Sequence, residues 1–262
     1  MSVARRLRIG ALLLVLVAVA VGEWRTGRAL NAWDDPLWVG IYPVAADDSD
    51  AVARWIDDLA ADDFTGVEAW LAGQGRSWGI GIAAPFRLIL GKPIGSLPPE
   101  APSSGALATA SWSLRMRAWS RARLGEQPGP RPDIALYVLY HDPERLQVLP
   151  HSLGLRKGRF GIVHAYASPE MRGSNRVVMA HELLHVVGAT DKYDPRNGRP
   201  VYPDGYADPD RQPRYPQSRA EIMGGRVPVS ASEARIPDSL DQAVIGPRSA
   251  GEIGWIPPIP GA

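Results

Sequence analysis

The sequence contains no cysteine. That excludes disulfides, thiolate-ligated zinc, thiol nucleophiles and a lipid-modified N-terminal Cys. It also lacks an excess of either charge: 29 Lys and Arg stand against 28 Asp and Glu, a formal net of +1. A near-neutral chain gives no electrostatic case for nucleic acid or for general attraction to acidic surfaces. Phosphate-cradling glycine patterns are missing too. Gly73, Gly75, Gly79 and Gly81 lie close together, but form neither G-x-G-x-x-G nor a Walker loop, so a turn leading into a strand is expected. No internal repeat is found. What remains is 262 residues with 45% hydrophobic content, enough for a real core in one medium domain or two small ones.

One apolar run stands apart. Arg5, Arg6 and Arg8 precede an unbroken stretch over residues 9–22. About fourteen residues is short for a spanning helix and usual for a signal h-region. Ala18-Val19-Ala20 is an A-x-A-like cleavage site, while Trp24 would suit an uncleaved anchor at the membrane interface. Either way the basic end stays inside and the rest is exported. Residues 1–30 are therefore expected to be a signal peptide or N-terminal membrane anchor. Residues 31–262 form the exported domain, periplasmic or extracellular, touching the membrane only through that segment.

Within the domain, helical and strand signals are mixed. Residues 37–44 read as a strand. Asp47, Asp48 and Ser49 offer N-caps for a helix reaching residue 60, with Val52, Trp55, Ile56 and Leu59 facing a core. A short helix is expected over 65–71, a strand over 80–90 and a loop over 91–105. A helix over 107–123 has Trp112, Met116 and Trp119 on one face; Arg115, Arg117, Arg121 and Arg123 read as a solvated surface. Residues 133–140 and 160–167 are strands, and short helices are expected over 239–245 and 249–255. Residues 194–217 hold six prolines and three tyrosines, which block helix and central strand and favour an ordered, irregular excursion. Asp194, Asp204, Asp208 and Asp210 lie there beside Gly205, and oxygen ligands of that kind are a calcium option, although EF-hand spacing is absent.

The chemistry concentrates in residues 177–193, VVMAHELLHVVGATDKY. His181 and His185 are four apart, so on a helix both imidazoles face one metal ion. Glu182 lies beside them, placed to hold and deprotonate a metal-activated water. The apolar residues around the motif predict a buried helix that holds its ligands rigidly, with Ser174 or Asn175 as its cap. Gly188 allows the chain to stop and turn back, which brings Asp191 under the histidines as third ligand. Glu221, His164 and His151 are the alternatives for that position.

This pattern resembles the signature of the metzincin zinc endopeptidases, H-E-x-x-H-x-x-G-x-x-H, with Asp191 where the last His stands, as in the snapalysin-type variant. Glu221-Ile222-Met223-Gly224-Gly225 is similar to the Met-turn of that group. The resemblance covers roughly residues 160–227. It implies zinc held by His181, His185 and Asp191, with Glu182 as catalytic base. It also implies an α+β, metzincin-like catalytic domain: a mixed sheet packed on a buried active-site helix, with an irregular C-terminal part. The tyrosine that many such enzymes place two residues past the Met is absent, since Gly225 stands there. An edge strand above the zinc would pair with extended peptide; residues 160–167 are one candidate, with an ordinary internal strand as the alternative. The function expected is zinc-dependent hydrolysis of peptide bonds, by a metalloendopeptidase acting on a peptide or protein. The rival is an exported non-catalytic module, zinc-braced and peptide-binding; the intact Glu182 speaks against it, because a structural site needs no base.

Overall fold

The computed structural model of the chain describes Arg5 and residues 30–259. The expected signal or anchor over residues 9–22 lies outside the described residues. Strand β1 (Leu37–Ala45) is buried at all but its second and last positions. Strand β3 (Ile134–His141) is buried through its first seven residues. Strands covered on both faces carry consecutive rather than alternating apolar residues, which is why these two stand out in the sequence. With β2 (Phe86–Leu90), β4 (Leu153–Leu155) and β5 (Phe160–Tyr166) they make a five-stranded sheet of order β2-β1-β3-β5-β4. The first four run parallel; β4 is antiparallel to β5 at the edge. The class is α+β with a mixed sheet.

Helices α1 (Asp50–Asp57) and α2 (Asp62–Ser77) carry the chain from β1 to β2. Helix α3 (Ala106–Gly125) carries it back past β1 to β3. The two crossovers travel in opposite directions, so the right-handed rule puts their helices on opposite faces. The cores agree. Val39, Ile41, Leu136, Val138 and Val163 pack with Val52, Phe64 and Leu71 on one face. Tyr42, Tyr137, Leu139 and Phe160 pack with Trp112 and Met116 on the other. Helix α4 (Arg172–Val187), which carries both motif histidines, joins the first face; Leu183, Leu184, Val186 and Val187 are fully buried.

Five expectations change. Strand β5 is not an edge: it lies between β3 and β4, and β4 forms the rim. The strand expected over 80–90 begins only at Phe86, because Ile80 N–H donates back to Gly75 O at 3.1 Å and continues the turn off α2. The helix expected over 239–245 is a single turn (Leu240–Gln242) followed by a two-residue strand (Ala243–Val244) paired with Ala220–Glu221. Helix α5 (Pro247–Glu252) starts earlier than expected, with Pro at its first position, where the missing N–H costs nothing. Helix α2 also runs longer than the 65–71 expected. Beyond Gly188 only two-residue strands and single turns occur before α5. Among the described residues no helix is long and apolar enough to cross a membrane.

Candidate metal centre

Helix α4 begins at Arg172 without a side-chain cap. Neither Ser174 nor Asn175, the two expected caps, fills that role: Ser174 Oγ donates to Met171 O at 3.0 Å, and Asn175 clamps β5. Its Oδ1 accepts from Tyr166 N–H at 3.1 Å and its Nδ2 donates to Tyr166 O at 2.8 Å. The helix ends at Gly188, whose φ of 115° is left-handed. Gly188 N–H and Ala189 N–H both donate to Leu184 O at 3.0 Å, a closed helix end that reverses the chain.

The reversal brings Asp191 to the histidines. His181 Nε2 and His185 Nε2 are 3.0 Å apart; Asp191 Oδ1 lies 3.3 Å from the first and 3.1 Å from the second. Ligand atoms about 2.0–2.1 Å from a tetrahedral zinc lie roughly 3.3 Å from one another, so this triangle has the dimensions of one face of such a site. The tautomers follow from the partners. His181 Nδ1–H donates to Ile222 O at 2.9 Å and His185 Nδ1–H to Ala189 O at 2.8 Å. With the protons on Nδ1, both Nε2 atoms present lone pairs. Two lone pairs and a carboxylate oxygen then converge, which is repulsive unless a cation stands among them. The donor set of two imidazoles and a carboxylate suits zinc.

The proton affinities show the same pull. Burial pushes His181 down, yet Asp191, Glu182 and the Ile222 carbonyl hold it above its ordinary value. Burial pushes Asp191 up, but hydrogen bonds to His181 and His185 hold it well below the usual carboxylate range. Glu182 is 5% exposed. Burial pushes its carboxyl up, against the opposing pull of the two histidines. Its Oε2 is buried with no hydrogen-bond partner among the described residues, a costly state for a polar atom.

Edge strand β4 passes directly over this helix. A β-carbon at Gly154 would collide with the Glu182 carbonyl oxygen and come within 2.6 Å of His185 Cβ. Only glycine allows that approach. The segment around Met223 closes the site from below: Glu221 precedes a turn (Ile222–Gly224) ended by Gly225 at φ 69°. That turn supplies the carbonyl that orients His181, and Met223 is fully buried.

The alternatives for the third ligand fall elsewhere. Glu221 is buried as a brace; its carboxylate accepts from Gly224 N–H at 2.9 Å, Gly246 N–H at 3.0 Å and Ser249 Oγ at 2.8 Å. His164 pairs with His141 at 2.8 Å on the α3 face of the sheet. His151 is exposed. Among the described residues His181, His185 and Asp191 are the one group of three or more such side chains with converging ligand atoms. Asp194, Asp204, Asp208 and Asp210, the calcium option, do not converge, and Asp194 is held by Arg196 at 2.9 Å.

Three contributors escaped the sequence. Tyr193 lies beside His181, with ring centroids 6.5 Å apart and planes 28° apart. Burial first, and Asp191 second, push its hydroxyl up to about 12, so it stays a proton donor. Its signal was a Tyr two residues past the expected ligand. Lys192 and Glu252 form the other device. Glu252 accepts from Thr190 N–H, Thr190 Oγ1 and Lys192 Nζ, each at 2.8 Å. Residues on both sides of Asp191 are thereby tied to α5. Comparison of the chain with protein-family models and with curated proteins finds no match.

Proposed function

We propose that this chain is a zinc-dependent peptidase of metzincin-like type, tethered or released outside the cell membrane by its N-terminal segment. The observation that carries the reading is the triangle of two Nε2 atoms and one Asp191 oxygen beside a buried, unpartnered Glu182 oxygen. Zinc, when bound, supplies a Lewis acid that polarises the scissile carbonyl and acidifies water.

The chain's own residues do the rest. His181 and His185 would hold the metal through Nε2, their ring planes set by the Ile222 and Ala189 carbonyls. Asp191 would add a negative charge and so leave the site a weaker Lewis acid than three neutral imidazoles would; more of the proton work would fall on Glu182. A carboxyl raised by burial is better matched to taking a proton from water near neutral pH and returning it to the leaving amine. Tyr193, still protonated, is a donor available to negative charge developing on the substrate oxygen. The outer edge of β4 supports an endopeptidase, since an extended peptide can add there by main-chain hydrogen bonds.

The test is metal content and cleavage in the parent, Asp191→Ala and Glu182→Gln chains. The parent is expected to hold about one zinc and to cut a broad peptide mixture. Asp191→Ala should lose the metal. Glu182→Gln should keep it and lose turnover by at least about a hundredfold. A Glu182→Gln chain that cleaves as the parent does would sink the mechanism.

A further inference from the structure

A second concentration of charge lies on the α3 face, at the N-terminal ends of β3 and β5. An open depression of about 390 Å³ is lined there by Arg117, Arg121, Arg131, Lys157 and Arg159. Asp133 is the only carboxylate in its wall, and its Oδ2 already accepts from Trp38 N–H at 3.0 Å. Among the described residues Arg117, Arg121, Arg131 and Arg159 form no ion pair. The chain as a whole is nearly neutral at +1, so the excess is local.

Its parts are placed by different elements. Arg117 and Arg121 are one turn apart on α3 and share a side of the helix. Arg159 ends the turn Arg156–Gly158 with φ 53°, a left-handed value that non-glycine residues adopt at a cost of about 1 kcal/mol or more. It is pinned there by Ala135 N–H, which donates to its carbonyl at 3.0 Å. Guanidiniums gathered without counter-charge repel one another, and an anion with several oxygens relieves that repulsion through their forked donors.

The path of the chain selects the anion. Asn31 lies at the start of the described domain, and its Oδ1 accepts from Arg156 Nη2 at 3.2 Å. Arg156 opens the same turn that delivers Lys157 and Arg159 to the depression. The N-terminal segment thus meets the same turn from the α4 side of the sheet, where Leu30 and Trp33 pack, while the depression opens on the α3 side. Residues 23–30 span roughly 25 Å when extended, so headgroups at the end of an anchor are within reach.

We propose that this depression binds the phosphate of anionic phospholipid headgroups in the membrane that the N-terminal segment enters, and so orients the domain on that surface. The proposal rests on the anchor reading of residues 1–30 and is independent of the peptidase chemistry. The experiment places the full chain in bilayer discs of phosphatidylglycerol or of phosphatidylcholine. Phenylglyoxal then labels accessible guanidiniums, and mass spectrometry reads the rate at each arginine. Arg117, Arg121, Arg131 and Arg159 should react roughly fivefold more slowly on the anionic discs. The difference should shrink in about 1 M salt, where the Debye length is near 3 Å. Arg87 and Arg145, paired with Glu68 and Asp48, serve as controls that should not respond to the lipid. Arg117→Glu with Arg121→Glu, both exposed positions, should abolish the protection. Equal rates on the two lipids overturn the proposal. Protection by millimolar inorganic phosphate on phosphatidylcholine discs, with none from phosphatidylglycerol, assigns a soluble anion and overturns it too. A chain that does not stay with phosphatidylcholine discs refutes the anchor and this docking with it, a failure distinct from equal protection.

Discussion

His141 and His164 face one another across β3 and β5, Nε2 to Nδ1, at 2.8 Å. Burial first, and His141 second, push His164 from 6.5 down to about 4. The folded chain therefore resists a proton that the unfolded chain accepts. In that window the unfolded state binds more protons, so stability rises with pH and is lost as pH falls from about 6.5 towards about 4. The melting temperature of the parent should fall more steeply across this range than that of His164→Gln; parallel slopes would remove His164 from the account. At this scale the convergence of the candidate ligands was legible because their geometry is local. Spacing of four on a helix and a glycine reversal put His181, His185 and Asp191 together within eleven positions. The roles of Glu252 and Glu221 were not legible. Each is set by contacts at long range, such as the 62-residue separation between Thr190 and Glu252, and nothing local marks them.

Among the elements, β4 matters more than its three residues suggest. A strand that short shows no alternation, so the sequence offered only the longer β5 as a candidate rim. The pleat and register instead place Gly154 against α4. Gly154→Ala should lower stability by about 1–3 kcal/mol through overpacking, measured by denaturant midpoint, and should reduce peptide cleavage because the strand must lift from Glu182 and His185. Unchanged stability would mean the helix and strand can part freely there. Helix α5 ties the loop that bears Asp191 through the Glu252 carboxylate. Glu252→Gln leaves the shape of that contact but weakens its charged bonds to Lys192 and Thr190. Zinc affinity, read by competition with a chromophoric chelator, should fall by about 10–100-fold while far-ultraviolet circular dichroism stays unchanged. An unaltered affinity would show that Asp191 needs no such tie.

For the whole molecule, a ligand that binds only the folded state raises stability by mass action. Zinc at about a hundred times its dissociation constant should add roughly 2.7 kcal/mol, seen as a higher melting temperature that a chelator reverses. No shift on adding or removing zinc would leave the three ligand atoms without a metal role. The broad outline of the fold was legible from β1, β3 and α4, whose buried residues announce themselves. The sheet order was not, since it depends on which crossover takes which face. Net charge proved blind in a similar way: a total of +1 conceals five cations around one depression.

His181 is oriented by a carbonyl 41 residues further along the chain, and the loop bearing Asp191 is fastened by a carboxylate 62 residues beyond Thr190. A growing or partly refolded chain that ends before residue 252 has both imidazoles but not the tie that steadies their companion. On the proposed zinc reading, metal capture closes the assembly of this protein rather than seeding it, and an unfinished chain has no complete centre to act prematurely.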